Sequence, residues 1–357
     1  MTDKRCFSPL LRRGVSAKQT GCGIKDFPPR SVAILNCFLI LLLLSLSYYN
    51  QKIKTYAYGE TRLMLSTQIE IKVVSKSKSV QQLVDKAFDQ ITQYELKFSY
   101  YHPDSFLHQI NNSESVYFRI DNEFYEVLSL AEKIYYESNH LYDVTIGDLF
   151  DTWDFENEAI PDSVALAEAM ENIGFDKLIL KKDSLFKPNN IKINLNSLCK
   201  GYIVDKVIEF LIKNGAEEAI VNAGGDLRFY SNNKNKWVVA VQNPRDRFST
   251  IASLRIPDKA VVTSGDYERF FEQENQRYHH ILNPQTGYPT SQTVSVTVLS
   301  STAFVADALA TAAMVMHPFE ALELIKKYPN TDAIIYFFDE NDEIISIKTD
   351  QIKNYKL

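Results

Sequence analysis

The stretch that decides the fold is NLNSLCKGYIVDKVIEFLIKNGAEEAIVNAGGDLRFY, residues 194–230. It begins at the end of a short strand, 191–195, and passes into an amphipathic helix over 201–214 that stops at Gly215. Two short apolar runs follow, 219–221 and 227–230, separated by the glycine pair 224–225. Paired glycines suit a tight turn or a close approach of backbone to a ligand. Strands dominate from there on, which predicts an α+β arrangement.

Toward the C-terminus, runs at 237–241, 251–256 and 293–299 suit a largely antiparallel, in part mixed, sheet. Helices over 304–316 and 318–328 precede a terminal hairpin near 334–347. Toward the N-terminus, LSTQIEIKV alternates as a strand within 64–74. Ser79 then opens a helix on which Val80, Val84, Ala87, Phe88, Ile91 and Tyr94 recur at helical spacing. Further helices are predicted over 122–138 and 163–172, the latter closed by Gly174, and a short strand over 178–180.

The chain has 357 residues, 45% hydrophobic and 24% charged, a globular balance that excludes disordered and collagen-like classes. Lys and Arg number 39 against 45 Asp and Glu, and no long basic run interrupts the body, which argues against a nucleic-acid partner. Cys6, Cys22 and Cys37 lie in the N-terminal segment and only Cys199 in the body, so no disulfide can form within the body. Residues 32–46 are almost wholly apolar, with Arg12, Arg13, Lys18, Lys25 and Arg30 in front and Tyr48 and Tyr49 behind. The charge bias holds the front end in the cytoplasm and sends the body across the membrane. The run is shorter than the roughly 20 residues of a full span. Ser45-Leu46-Ser47 fits a signal-peptidase site, and the length of the basic segment favours an anchor. The expected layout is a basic cytoplasmic segment, 1–31; a signal anchor or signal peptide, 32–49; a linker, 50–61; the folded domain, 62–350; and a tail, 351–357.

Six segments hold the polar residues that look placed for chemistry. They are Tyr142-Asp143-Val144-Thr145-Ile146-Gly147 with the following 151–155, the segment 194–202, Val221 to Asp226, Thr263 to Arg269, Arg277 to Gly287, and Ala306 to Thr311. Taken singly, each also fits an ordinary loop, cap or turn. A strand end running into a helix start, with Lys200, suits a phosphate. His279 and His280 face opposite sides of a strand, so one of them can address a given site as a proton acceptor. Asp307 and Thr311 stand one turn apart on a helix of small apolar residues. A carboxylate with a hydroxyl suits Mg²⁺ rather than a soft metal, although a buried Asp bonded to a Thr fits equally well.

In order and together, NLNSLCKGY, VNAGGD, TSGDYER, RYHHILNPQTGYP and ADALATA resemble the motifs of the ApbE family of FAD:protein FMN transferases, over roughly 62–350. The resemblance implies an ApbE-like α+β fold of two closely joined lobes, with FAD as substrate and Mg²⁺ on its pyrophosphate. It carries metal-ligand roles to Asp307, Thr311 and Ser197. Contacts to the flavin nucleotide are carried to Leu65, Tyr101, Leu141, Tyr142, Asp143, Asn194, Lys200 and Ile281. The chain departs from the family at Leu65-Ser66-Thr67, where Met-Gly-Thr is usual, and at Asn194 and Asn283, where Asp is common. The implied reaction moves FMN from FAD to a Ser or Thr hydroxyl of an acceptor protein and releases AMP, with His280 as candidate base. The implied acceptor is a membrane redox-complex subunit and the implied location the outer face of the inner membrane. An FAD pyrophosphatase and a non-catalytic flavin-binding protein are the alternatives.

Overall fold

A computed structural model describes residues 39–45, 54–234, 236–274 and 276–356. The chain divides into two units, 1–54 and 55–357. Of the first, residues 39–45 form a short exposed helix, α1. Among the described residues no helix is long and apolar enough to cross a membrane. The rest of the expected anchor, 32–49, and the basic segment, 1–31, lie outside the described residues.

The second unit begins earlier than the sequence suggests. Strand β1 (Tyr56–Met64) occupies ground expected to be linker, and pairs with β2 (Thr67–Ser75) across a two-residue turn. Leu65 and Ser66 both have positive φ, 51° and 58°. Asn-Gly is the usual signature of such a hairpin turn; with Leu-Ser there, the two strands read as one at 64–74.

Helices α2 (Val80–Phe98) and α3 (Phe106–Asn111), strand β3 (Tyr117–Arg119), and helices α4 (Asn122–Glu137), α5 (Gly147–Thr152) and α6 (Ser163–Glu171) come next. Strands β4 (Ile179–Lys181) and β5 (Ser184–Phe186) join β3 in a small sheet. The segment 191–195 is extended and buried but is not a strand. It makes a single parallel bridge, Lys192 to Ile146, in which Asn194 N–H donates to the Val144 carbonyl (2.7 Å) and Gly147 N–H to the Lys192 carbonyl (3.0 Å); the Asn111 side chain donates to the Ile193 carbonyl (2.8 Å) and accepts its N–H (2.9 Å).

Helix α7 (Cys199–Lys213) leads to β6 (Ala216–Ala223), β7 (Asp226–Ser231), β8 (Trp237–Asn243), β9 (Asp246–Ile256), β10 (Ala260–Gly265), β11 (Phe270–Gln273), β12 (Gln276–His279) and β13 (Thr293–Ser300). Helices α8 (Ala303–Val315) and α9 (Pro318–Lys326) precede β14 (Asp332–Phe338) and β15 (Ile344–Lys348). The main sheet runs β1-β2-β6-β7-β10-β13-β14-β15, and each neighbouring pair is antiparallel. Of the expected tail, 351–357, the described part is packed against the body: Ile352 is buried, and Lys356 bridges Leu254.

The sheet is covered on both faces. Val262, Val296, Val298, Ala333 and Ile335 point to a helical core with Ala306, Leu309 and Ala313 of α8. Val261, Val294, Leu299, Ile334 and Tyr336 point the other way, to Val239, Val241, Leu254 and Ile256 of the β8–β9 hairpin. Burial on both faces accounts for the unbroken apolar character of β14. The two lobes of the sequence reading form one unit, 55–357.

Candidate active site

The centre of the site is the crossing of α7 and α8. Gly201 stands in the first turn of α7, where backbone N–H groups lack helical acceptors. Its N–H donates to Asp307 Oδ2 on α8 at 2.9 Å. A Cβ on Gly201 would lie 2.6 Å from the Ala303 carbonyl carbon and 2.8 Å from Asp307 Cβ, so this helix approach requires glycine. Asp307 is 3% exposed. Burial first, then Asp226, push its carboxyl up to about 7, against the pull of Lys200 and the Gly201 N–H.

One turn on, Thr311 Oγ1 lies 3.5 Å from the Ser197 carbonyl oxygen and 3.5 Å from Ser264 Oγ. Ser197 Oγ shares a 2.9 Å hydrogen bond with the buried Tyr142 hydroxyl. Ser197 thus lies next to both Thr311 and Tyr142, with Asp307 one turn away on α8. Among the described residues no three His, Cys, Asp or Glu side chains come together as a metal site. The cradle has one carboxylate, with hydroxyl and carbonyl oxygens. That donor set fits a small hard cation that retains waters and takes further oxygens from a phosphate ligand. The long contacts of Thr311 Oγ1 leave it weakly engaged by the protein, which also fits.

Lys200 Nζ forms a 2.7 Å ion pair with Asp226 Oδ2. Burial would lower the lysine's pKa, but Asp226 and Asp307 outweigh it and hold the side chain charged. Asp226 reaches this place because the turn before it is tight. Gly224 has φ +63° and donates to the Gln68 carbonyl at 3.0 Å, and a Cβ there would run into the Thr67 hydroxyl. The same contact seats the β1–β2 turn, with half-buried Leu65, beside the VNAGGD turn. Of the α7 N–H groups expected to suit a phosphate, that of Cys199 goes to Leu195 (3.0 Å) and that of Gly201 to Asp307. The Lys200 side chain adds a full positive charge at this helix end.

His280 follows β12 and is half-buried. Its Nδ1 lies 3.3 Å from the Arg269 carbonyl, an acceptor only, so Nδ1 carries the proton and Nε2 is free to accept one. Burial, then His279, with Lys200 and Arg269 adding, lower its pKa to about 4 and keep it neutral. His279 faces the other way, its Nε2 2.7 Å from the Thr290 carbonyl and its Nδ1 accepting from Ile281 N–H at 3.3 Å. Tyr101 is 52% exposed. Burial raises its phenol, and the Arg269 guanidinium beside it pulls the other way.

The other predicted residues have partners within the protein. Asp143 accepts from Thr145 N (2.8 Å), Thr145 Oγ1 (2.7 Å) and Phe175 N (3.1 Å), so its carboxylate braces a loop instead of facing the cradle. Asn194 Oδ1 accepts from Asn196 N (3.0 Å) and Asn283 Oδ1 from Gln285 N (2.8 Å). These turns use only a side-chain carbonyl oxygen, so Asn does what Asp would. Leu141 is half-buried and Ile281 buried, both in the helical core. Sequence reasoning passed over Asp226 and Glu268. Each lay inside a recognised motif, and the signal available was an acidic residue in a glycine turn. Glu268 keeps one side open to solvent, yet the protein packed around the rest of it, with Asp226, raises its carboxyl against the pull of Lys200.

A sequence model described as the ApbE family matches residues 65–335. A protein of Treponema pallidum named FAD:protein FMN transferase is 28% identical over 329 residues, spanning 85% of this chain and 90% of its own. One of the same name from Vibrio cholerae is 32% identical over 253 residues, spanning 68% and 75%. Among solved structures, the ApbE protein of Thermotoga maritima is similar at a TM-score of 0.76 and 28% identity, over 85% of this chain and all of its own. The flavin transferase ApbE of Vibrio cholerae is similar at 0.73 and 25%, over the same shares.

Proposed function

The chain belongs to the ApbE family, and from that membership we infer that it is an enzyme, an FAD:protein FMN transferase, and propose the finer course of its reaction. Asp307, Thr311 and Ser197 would hold Mg²⁺ beside the bound FAD. A Ser or Thr hydroxyl of an acceptor protein attacks the FMN phosphorus. The new O–P bond forms as the P–O bond to AMP breaks, and AMP leaves with the electron pair. The observation that carries this reading is the gathering of Asp307, Thr311 and Ser197 in an all-oxygen cradle beside a charged lysine.

When bound, the ion supplies positive charge to the diphosphate, and phosphoryl transfer rests largely on such charge and on positioning. Lys200, kept charged by Asp226, attracts the same phosphates. Tyr142, through Ser197 Oγ, fixes the loop at the start of α7. His280, neutral and with Nε2 free, takes the proton from the attacking hydroxyl. Leu65 and Tyr101 line the approach for the flavin nucleotide, with backbone at Leu141, Asn194 and Ile281 contributing. The basic residues before the apolar run at 32–46 support a body held at the outer face of the inner membrane. The acceptor there is a subunit of a membrane redox complex.

The test is to incubate the full chain with FAD and a candidate acceptor, with Mg²⁺ or with a chelator, and to follow covalent flavin on the acceptor and free FMN in solution. Flavin on the acceptor only with Mg²⁺ supports the proposal. Free FMN with an unmodified acceptor would point to a pyrophosphatase, and neither product to a binding protein.

A further inference from the structure

Helices α7 and α8 cap each other. Asp307, four residues after Ala303 on α8, accepts the N–H of Gly201 on α7. Asp205, four residues after Gly201 on α7, accepts the N–H groups of Ala303 and Phe304, the first two residues of α8, at 2.9 and 2.8 Å. Both carboxylates are buried. Arg228 Nε stands 3.5 Å from Asp205 Oδ1. Each helix start thus receives a negative charge from the second turn of the other, where free N–H groups and the helix dipole both favour one.

The two carboxylates differ in what else they do. Asp307 belongs to the proposed cation cradle, whereas Asp205 lies on the far side of the crossing and touches none of its oxygens. Yet Asp205 holds the first turn of the helix that carries Asp307 and Thr311. Rotating or sliding α8 would move both relative to Ser197 in the turn before α7, where the contact to Thr311 is already 3.5 Å. We propose that Asp205 is a positioning residue for the cation: by holding the start of α8 it sets the distance between Thr311, Asp307 and Ser197, and so the affinity of the cradle. This rests on the reading of those three as the Mg²⁺ site.

The experiment compares the wild type with Asp205→Asn and Asp205→Glu. The amide of Asn retains one acceptor but turns an NH₂ toward a backbone N–H; Glu keeps both acceptors on a longer arm. Three quantities are read: thermal midpoint without cation, the rise in that midpoint when Mg²⁺ is added to the FAD-loaded protein, and the Mg²⁺ concentration for half-maximal transfer. Partners behind metal ligands affect affinity by about 10–100-fold. Asp205→Asn should therefore need at least about tenfold more Mg²⁺, show a smaller Mg²⁺-induced rise, and recover the wild-type rate at saturating Mg²⁺; Asp205→Glu should fall between. A folded variant with unchanged Mg²⁺ dependence overturns the proposal. If Asp205→Asn does not fold, Asp205→Glu decides by the same readings. Wild-type transfer that ignores Mg²⁺ defeats the cradle reading itself, a separate outcome from equal dependence in wild type and variant.

Discussion

Replacing Gly201 by alanine puts the helix crossing under direct strain. The added methyl would lie 2.6 Å from the carbonyl carbon of Ala303 and 2.8 Å from Asp307 Cβ, and two of its three nearest neighbours are backbone that no rotamer change can move. Overpacking of this kind costs about 1–3 kcal/mol. Parting the helices also stretches the 2.9 Å bond from Gly201 N–H to the Asp307 carboxylate, a charge-assisted contact of about 1.5–3 kcal/mol. Against this, alanine is favoured over glycine inside a helix by about 1 kcal/mol. The net loss is about 1.5–5 kcal/mol, which at about 2–4 °C per kcal/mol in a large domain lowers the thermal midpoint by about 3–20 °C. Circular dichroism melts read that shift, and titration of the FAD-loaded protein with Mg²⁺ reads the damage to the cradle. Gly215→Ala is the control: it has nothing within 4 Å and only a positive φ of 87° to object to the methyl. A Gly201→Ala protein that melts with the wild type and binds Mg²⁺ normally would refute the close-crossing argument.

Asp307→Asn keeps an acceptor for Gly201 and removes the charge, so transfer should drop by more than about 100-fold with little change in melting; a single-turnover assay checks this. His280→Ala should slow transfer to acceptor by about 10²–10⁴-fold. Because its pKa is lowered to about 4, the wild-type rate should not fall between pH 8 and 5 on account of this residue, which a pH–rate profile of wild type against variant resolves. Asp143 is raised to about 6, chiefly by burial. A folded-state pKa above the unfolded value contributes stability below about pH 4 that is lost as pH rises through 6. Relative to Asp143→Asn, the wild type should therefore lose up to about 3 kcal/mol between pH 4 and 7 in denaturant titrations.

Helices were the most legible elements in the sequence, because their apolar spacing survives burial on one side: α4, α6 and α9 start within a residue of expectation. Strands beside unusual turns were not. The β1–β2 turn has no glycine or asparagine, and β10 to β12 are short strands with mixed patterning around TSGDYER and RYHH. The segment 191–195 looked like a strand because its side chains alternate as one, but its backbone pairing is limited to one bridge with Ile146, and Ile193 is bonded by the Asn111 side chain. At the site, Asp307, Thr311, Ser197 and Tyr142 could be singled out because each lies in a short contiguous segment, and the structure brings Thr311 and Tyr142 to Ser197. The roles of Asp205 and Asp226 could not, since each depends on a partner far along the chain. Asp143, expected at the nucleotide, is engaged by Thr145 and Phe175, a local bracing pattern that a motif cannot distinguish from ligand contact.

Ser197 and Thr311 meet across 114 positions of sequence. A polypeptide emerging N-terminus first, from a ribosome or through a translocon, can complete the first hairpin and α7 long before α8 arrives. Until then the proposed seat for a divalent ion has only one wall. Premature termination anywhere ahead of residue 303 should leave a fragment that cannot charge itself with magnesium, however much of the flavin-facing surface it has managed to assemble.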